Sequence, residues 1–286
     1  MPEPHVLFIG RTTVDAVYWL DRIPEEDTKV FARAFRAAPG GPACNAAITC
    51  ALLGGNATLL SAVGAGPFAR LVRDELERHG IRLIDRADGT KYETPLTAAL
   101  VSAANSTRTI VNPPAEAAPF DSIGPEWDPR WGEPPQVALT DGFHIAETLP
   151  LLRACHDAGC LLVLDGGSWK PGTEELSPLL TAAVCSERFR APGLAPDPGE
   201  TLRWFAGHGV PYVAVTRGPR SILGLEHGRP FEIEISPIAA VDTLGAGDVL
   251  HGAFGYFFAL TGDFEACLRR AAEVATRSCQ GMGISA

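Results

Sequence analysis

Near the end of the chain, Val241-Asp242-Thr243-Leu244-Gly245-Ala246-Gly247-Asp248 leads into a long apolar run. Small residues there allow a tight turn into a helix and leave the amides of Gly245, Ala246 and Gly247 as free donors. With the helix dipole these donors make an anion hole. Asp248 falls in the first helical turn. Its carboxylate either complements the dipole or takes a proton from a hydroxyl that attacks a phosphoryl group. A positioned base beside fixed positive potential is what phosphoryl transfer needs. A second element is Gly40-Gly41-Pro42-Ala43-Cys44-Asn45. Its glycines let a ligand approach the backbone, and the Asn45 amide both donates and accepts. By itself Gly-Gly before a helix is common, and Asn45 reads equally as a cap. Asp15 is a third candidate, in an otherwise apolar run after the first strand. Alone it reads more readily as a turn or capping residue.

The elements that must position these groups alternate. Residues 6–9, followed by Gly10, predict a buried first strand, and 14–20 and 30–37 predict two more. Pro42 suits the first turn of a small-residue helix over 43–53, closed by Gly54-Gly55. A strand over 59–63 and a helix over 67–79 follow. Phe68, Leu71, Val72 and Leu76 face inward and the helix's charges mostly outward. Residues 95–103 and 108–112 predict a hairpin. Seven prolines between Asn112 and Pro135 exclude a long helix or central strand. That stretch reads as an ordered connector with a short helix near Phe120. Strands over 137–140, 160–164, 182–185 and 212–216 then alternate with helices over 149–157 and 200–208. A hairpin over 221–225 and 231–235 and two helices over 246–260 and 264–279 close the chain. This order predicts a mostly parallel sheet covered on both faces.

Composition bounds the function. The chain has 286 residues, 46% hydrophobic, with a net charge of −10. It has no basic tract, so a nucleic-acid or anionic-membrane surface is not expected. No run approaches the roughly 20 apolar residues needed to span a bilayer, and the opening residues lack a signal-peptide pattern. A cytoplasmic location is the expectation. The seven cysteines form no Cys-x-x-Cys pair, which predicts reduced, buried thiols rather than a disulfide or zinc framework.

Together these residues resemble the ribokinase-like, or PfkB, carbohydrate kinases over nearly the whole chain. Members open with a strand, a Gly and an Asp (Gly10, Asp15), carry Gly-Gly-x-x-x-Asn (Gly40, Gly41, Asn45), and end with Asp-Thr-x-Gly-Ala-Gly-Asp (Asp242 to Asp248). The resemblance implies a three-layer α/β/α fold with a small β-sheet lid. The core would be 1–11, 39–91 and 114–286, and the lid 12–38 and 92–113. It implies Asp248 as catalytic base, with the Gly245, Ala246 and Gly247 amides holding the γ-phosphoryl. Asp15, Gly40, Gly41 and Asn45 would hold sugar hydroxyls. Thr216, Gly218, Thr243, Ala275, Cys279 and Gly281 would border the nucleotide. ATP with Mg²⁺ is the implied cofactor. Asp242, with nearby carbonyls, is the candidate K⁺ ligand. A homodimer through the lid is implied as well.

The chain departs from the family pattern in places. Where members carry Asn-x-x-Glu, it reads Ser186-Glu187-Arg188-Phe189, so Phe189 replaces the Glu and Glu187 is the candidate substitute. Leu244 replaces a common Thr. Lys29 and Asn112 resemble the ketohexokinase-like and sulfofructose kinase-like branches, but Phe143 stands where the latter place an Arg. A ketohexose or pentose is therefore the expected acceptor, rather than a sulfonated sugar. Two alternatives remain. One is a nucleoside kinase of the same fold, with Phe31, Phe35 or Phe143 against the base. The other is a catalytically weak sugar-binding regulatory protein.

Overall fold

The computed structural model describes residues 3–104, 107–114 and 118–281. Its strands are β1 His5–Ile9, β2 Thr13–Leu20, β3 Ala34–Gly40, β4 Asn56–Ser61, β5 Arg82–Asp85, β6 Leu96–Ser102, β7 Arg108–Val111, β8 Val137–Thr140, β9 Leu161–Gly166, β10 Ala182–Ser186, β11 Tyr212–Arg217, β12 Arg220–Glu226 and β13 Arg229–Ile233. Its α-helices are α1 Pro42–Leu52, α2 Gly66–Arg78, α3 Ile145–Asp157, α4 Thr173–Leu176, α5 Pro198–Gly207, α6 Ala246–Thr261 and α7 Phe264–Ser278.

The large sheet runs β13-β12-β11-β10-β9-β8-β1-β4-β5. From β11 to β5 every pair is parallel, and the β11–β12 and β12–β13 pairs at the other edge are antiparallel. Side chains alternate between its two faces. Val6 and Phe8 join Leu59, Leu139 and Val163 in one core, with residues of α1, α2, α6 and α7. Leu7 and Ile9 join Leu60, Ala138 and Leu162 in the other, with residues of α3, α4 and α5. The small sheet, in the order β3-β2-β6-β7, has its own apolar cluster of Val17, Trp19, Ala99 and Val101.

Several sequence expectations shift. The second lid strand begins at Ala34, not Val30, and Phe31 is 89% exposed. The strand expected over 59–63 ends at Ser61, and β5 gave no sequence signal because its four residues carry two charges. The connector's only short helix among the described residues is a single 3₁₀ turn at Pro129–Trp131, where the Asp128 carboxylate caps Arg130 N–H; none forms near Phe120. The α3 helix starts four residues early and holds Pro150 inside it. All seven cysteines are free and buried, and burial raises the Cys44 and Cys50 thiols to about 12.

The crossing of α1 and α6 sets the site. Gly252 faces α1 so closely that a Cβ would lie 2.3 Å from the Ala46 carbonyl oxygen and 2.7 Å from Thr49 Cβ. Backbone cannot give way as a flexible side chain can. Gly252→Ala should therefore destabilise the protein by about 2–3 kcal/mol in urea unfolding. An unchanged midpoint would show that the two helices separate freely.

Candidate active site

Gly245 starts α6 with φ 74°, a left-handed value that glycine adopts without strain. The N–H groups of Gly245 and Gly247 have no acceptor among the described residues, whereas Ala246 N–H reaches Thr243 O at 3.4 Å. A Cβ on Gly247 would meet nothing within 4 Å. The anion hole is thus open at two amides and partly engaged at the third.

Asp248 lies one turn into α6, and the Asn45 side-chain amide, from α1, donates to its Oδ2 at 2.7 Å. Two motifs 203 residues apart in sequence are joined by one hydrogen bond. Burial, reinforced by the Asp165 carboxylate, raises Asp248 to about 7, against the pull of Asn45 and His251. A carboxylate at that value is a stronger base than an exposed one and still ionises near neutral pH. Asn45 is buried and its Oδ1 has no partner among the described residues. That acceptor is left for a hydroxyl donor in the cleft.

Asp15, on β2, is held by the Thr13 hydroxyl at 2.9 Å, and burial raises its pKa. Gly40 allows its position: a Cβ there would lie 2.3 Å from the Asp15 carboxyl carbon. Gly41, with φ 92°, lies against Arg11 O, 2.4 Å from where a Cβ would sit. The two glycines therefore make room for the chain's own Asp15 and Arg11.

A cavity of about 360 Å³ lies between the small sheet and α1. Asp15, Trp19, Asn45 and Gly245 line it, with Glu75 and His79 at its α2 side. The sequence reading turned the α2 charges outward and so missed these last two. Lys29 and Asn112 do not line it. Lys29 is exposed, and Asn112 Oδ1 accepts from Thr97 at 3.1 Å. Phe31, Phe35 and Phe143, the rings considered for a nucleobase, are absent from its lining as well.

The small sheet is tied directly to the catalytic loop. Trp19 Nε1 donates to Asp242 Oδ2 at 3.2 Å, and Arg108 donates to the Thr243 hydroxyl at 3.0 Å. Leu244 packs against the small sheet's apolar cluster, which gives the Thr-to-Leu departure a structural role. The other Asp242 oxygen accepts from Leu244 N–H at 2.8 Å. The amides of Val241 and Asp242 both donate to Cys279 O, which pins the end of α7 to the same loop. Ala275 and Cys279 are buried there, and Gly281 follows.

Thr216, next to last in β11, lies beside Ser186 of β10, and Gly218 makes the following turn with φ 63°. Phe189 is fully buried against Trp169 and Phe205, so core packing occupies the position where a Glu was expected. Glu187 pairs with Arg220. Sequence reasoning also missed two buried carboxylates at strand ends. Asp141 accepts from the amides of Arg11, Ala43 and Phe143 at 2.8, 3.3 and 3.0 Å, and burial raises it to about 7. Asp165 lies 3.3 Å from His251 Nδ1. Among the described residues no group of three or more His, Cys, Asp or Glu side chains is placed to hold a metal ion. A Mg²⁺ that keeps its waters and the nucleotide's phosphate oxygens needs no such cage.

A mostly parallel sheet with helices on both faces, a small sheet beside it, and an open helix N-terminus next to a basic carboxylate define a ribokinase-like phosphotransferase. The chain belongs to the pfkB family of carbohydrate kinases, whose family model matches residues 3–286. It is 25% identical over 287 residues to the ribokinase of Bacillus subtilis, covering 98% of this chain and 94% of that protein. It is 24% identical over 250 residues to a fructokinase of Salmonella typhimurium, covering 82% and 79%. The structure of Arabidopsis thaliana ribokinase complexed with ribose and ATP superposes with a TM-score of 0.76 at 21% identity, covering 99% of this chain and 94% of that one. Among the described residues no helix is long and apolar enough to cross a membrane.

Proposed function

We propose that the protein transfers the γ-phosphoryl group of MgATP to a hydroxyl of a small sugar, a ketohexose or pentose. The observation that carries this reading is the Asn45–Asp248 hydrogen bond beside an unpartnered, buried Asn45 oxygen. Asn45 Oδ1 and Asp15 orient the sugar hydroxyls, and Asp248 takes the proton of the attacking one. Gly245 and Gly247 N–H, with the α6 dipole, receive the charge that develops on the transferring group. Bound Mg²⁺ neutralises phosphate charge. Thr216, Gly218, Thr243, Ala275, Cys279 and Gly281 border the nucleotide. Asp242, already engaged by two N–H donors, is the candidate K⁺ ligand. The small sheet, taken as residues 12–38 and 92–113, acts as a lid that keeps water from the phosphoryl group.

The names of the relatives, ribokinase and fructokinase, support this acceptor class. The cavity volume sits at the lower end of the range for small-ligand sites. Tyr18, Phe35, Ile110 and Val111 are exposed on the lid, which supports a lid-to-lid homodimer. A cytoplasmic location suits an ATP-dependent enzyme.

The test is ADP release from MgATP across ketohexoses, pentoses, aldonates and nucleosides, with and without K⁺. Turnover with a pentose or ketohexose supports the reading. Turnover with nucleosides alone overturns the acceptor class. No turnover, despite sugar-dependent thermal stabilisation, favours a binding role.

A further inference from the structure

The first turn of α6 is built almost without side chains. Gly245, Ala246 and Gly247 precede Asp248, and no side chain caps the helix. Glycine leaves the backbone more freedom than any other residue. Ala246 N–H reaches Thr243 O only at 3.4 Å. A Cβ on Gly247 would meet nothing within 4 Å, so no atom on that side holds its backbone in place. Yet an anion hole is effective because its donors are fixed before charge develops. Some other group must hold this turn.

His251, one turn further along α6, reaches back to it. The ring is buried, and its Nδ1 lies 2.8 Å from Gly247 O, the carbonyl of the peptide that joins Gly247 to Asp248. A carbonyl oxygen has two lone pairs, so the ring can add a bond to the one that the helix itself supplies. The same nitrogen lies 3.3 Å from Oδ2 of Asp165, a buried residue next to last in β9. Nε2 lies 2.9 Å from Val184 O, inside β10. Both nitrogens face oxygen acceptors, so the ring donates from both and Asp165 is its counter-charge. Two neighbouring strands of the large sheet thus fix the ring, and the ring fixes the Gly247 carbonyl. Desolvation offsets most of the attraction within a buried ion pair, and fixing geometry is what such a pair still contributes.

We propose that His251 and Asp165 are positioning residues for phosphoryl transfer. Through the hydrogen bond to Gly247 O they hold the Gly247–Asp248 peptide, and with it the amides that receive the γ-phosphoryl group and the base beside them, in one arrangement. Both act through that carbonyl and not on the substrate directly. The inference rests on the kinase reading above and adds to it the groups that preorganise the anion hole.

The test separates the two ring nitrogens. His251→Asn places an amide N–H near the position of Nδ1 and gives up the Val184 contact. His251→Gln places one near Nε2 and gives up the Gly247 contact. Binding of the Mg²⁺ complexes of ADP and of adenylyl imidodiphosphate, an ATP analogue that keeps a γ-phosphoryl group, is read by calorimetry without an acceptor. His251→Gln should weaken the analogue about tenfold and leave ADP within about twofold of wild type, as expected when one charge-assisted hydrogen bond to the γ-phosphoryl group is misplaced. His251→Asn should keep the wild-type ratio of the two affinities. Unfolding midpoints check that both variants fold, and both should fall below wild type, since each gives up one contact of the ring. A ring that is only structural would lower both midpoints and leave the ratio unchanged in both variants, and that result overturns the proposal. So does an equal change of ratio in both, because the Gly247 contact would then not be the one that matters. Asp165→Asn removes the counter-charge at constant shape and decides the case where a histidine variant does not fold. It should weaken the analogue relative to ADP, and an unchanged ratio overturns the proposal. Wild-type protein that binds neither nucleotide would sink the kinase reading and this proposal with it. Nucleotide binding without turnover of any acceptor would sink the acceptor reading alone and leave this test standing.

Discussion

Asp248→Asn should lower kcat for ADP release about a thousandfold while sugar-dependent thermal stabilisation persists. The amide keeps the size of the carboxylate but cannot accept the hydroxyl proton. A retained kcat would remove Asp248 as the base. With wild type, kcat/KM should rise with pH until Asp248 is ionised, near 7, because only the ionised form accepts a proton. The same substitution should affect stability in the opposite sense. Burial, the main cause, and Asp165 raise Asp248 to about 7 in the folded protein, well above its unfolded value. Between about pH 4 and 7 the folded state therefore holds a proton that the unfolded state has released. Stability contributed by this group is complete below that window and is lost as pH rises through it. Asp248→Asn should accordingly raise the unfolding temperature relative to wild type at pH 8, with the gain shrinking toward pH 4. A variant less stable than wild type at pH 8 would contradict the link between the strained carboxylate and function.

His251→Leu should destabilise the protein by about 3–5 kcal/mol, read by urea unfolding. The ring is buried beneath the catalytic helix. Its Nδ1 lies 2.8 Å from Gly247 O and 3.3 Å from Asp165 Oδ2, and its Nε2 lies 2.9 Å from Val184 O. Every oxygen facing the ring is an acceptor, an arrangement that two N–H donors satisfy. Leucine would remove the ring's contacts with two carbonyls and take the buried Asp165 carboxylate's histidine partner away. It would also release the first turn of α6 from the middle of β10, where Val184 lies. Adding Asp165→Leu to His251→Leu should recover much of the loss, because the uncompensated charge goes with it. Equal stability of the single and double variants would show that the two side chains act independently. The ring thereby ties the helix that carries Asp248 to β10 and Asp165.

The one-dimensional pattern was enough to place the motif loop at the start of a helix. Glycines at 245 and 247 and a carboxylate at 248 imply open amides and a base through local geometry alone, since a helix start needs only a few consecutive residues. Strands β1, β8, β10 and β11 were legible because buried parallel strands are nearly unbroken apolar runs. Pro42 and Gly54 marked helix ends through backbone preference. What the sequence could not carry was any contact between distant segments. The Asn45–Asp248 bond, the Trp19 and Arg108 ties to the catalytic loop, and the His251–Asp165 pair each join elements that only the sheet order brings together. Glu75 and His79 read as solvent charges until the small sheet closed a cavity over them. Phe143 read as the loss of a charge, because a residue's type says nothing about which cations rest on its ring. Local composition determined the candidate catalytic groups and the fold class. Their surroundings, and hence base strength, depend on burial and through-space neighbours, which exist only after the chain has folded.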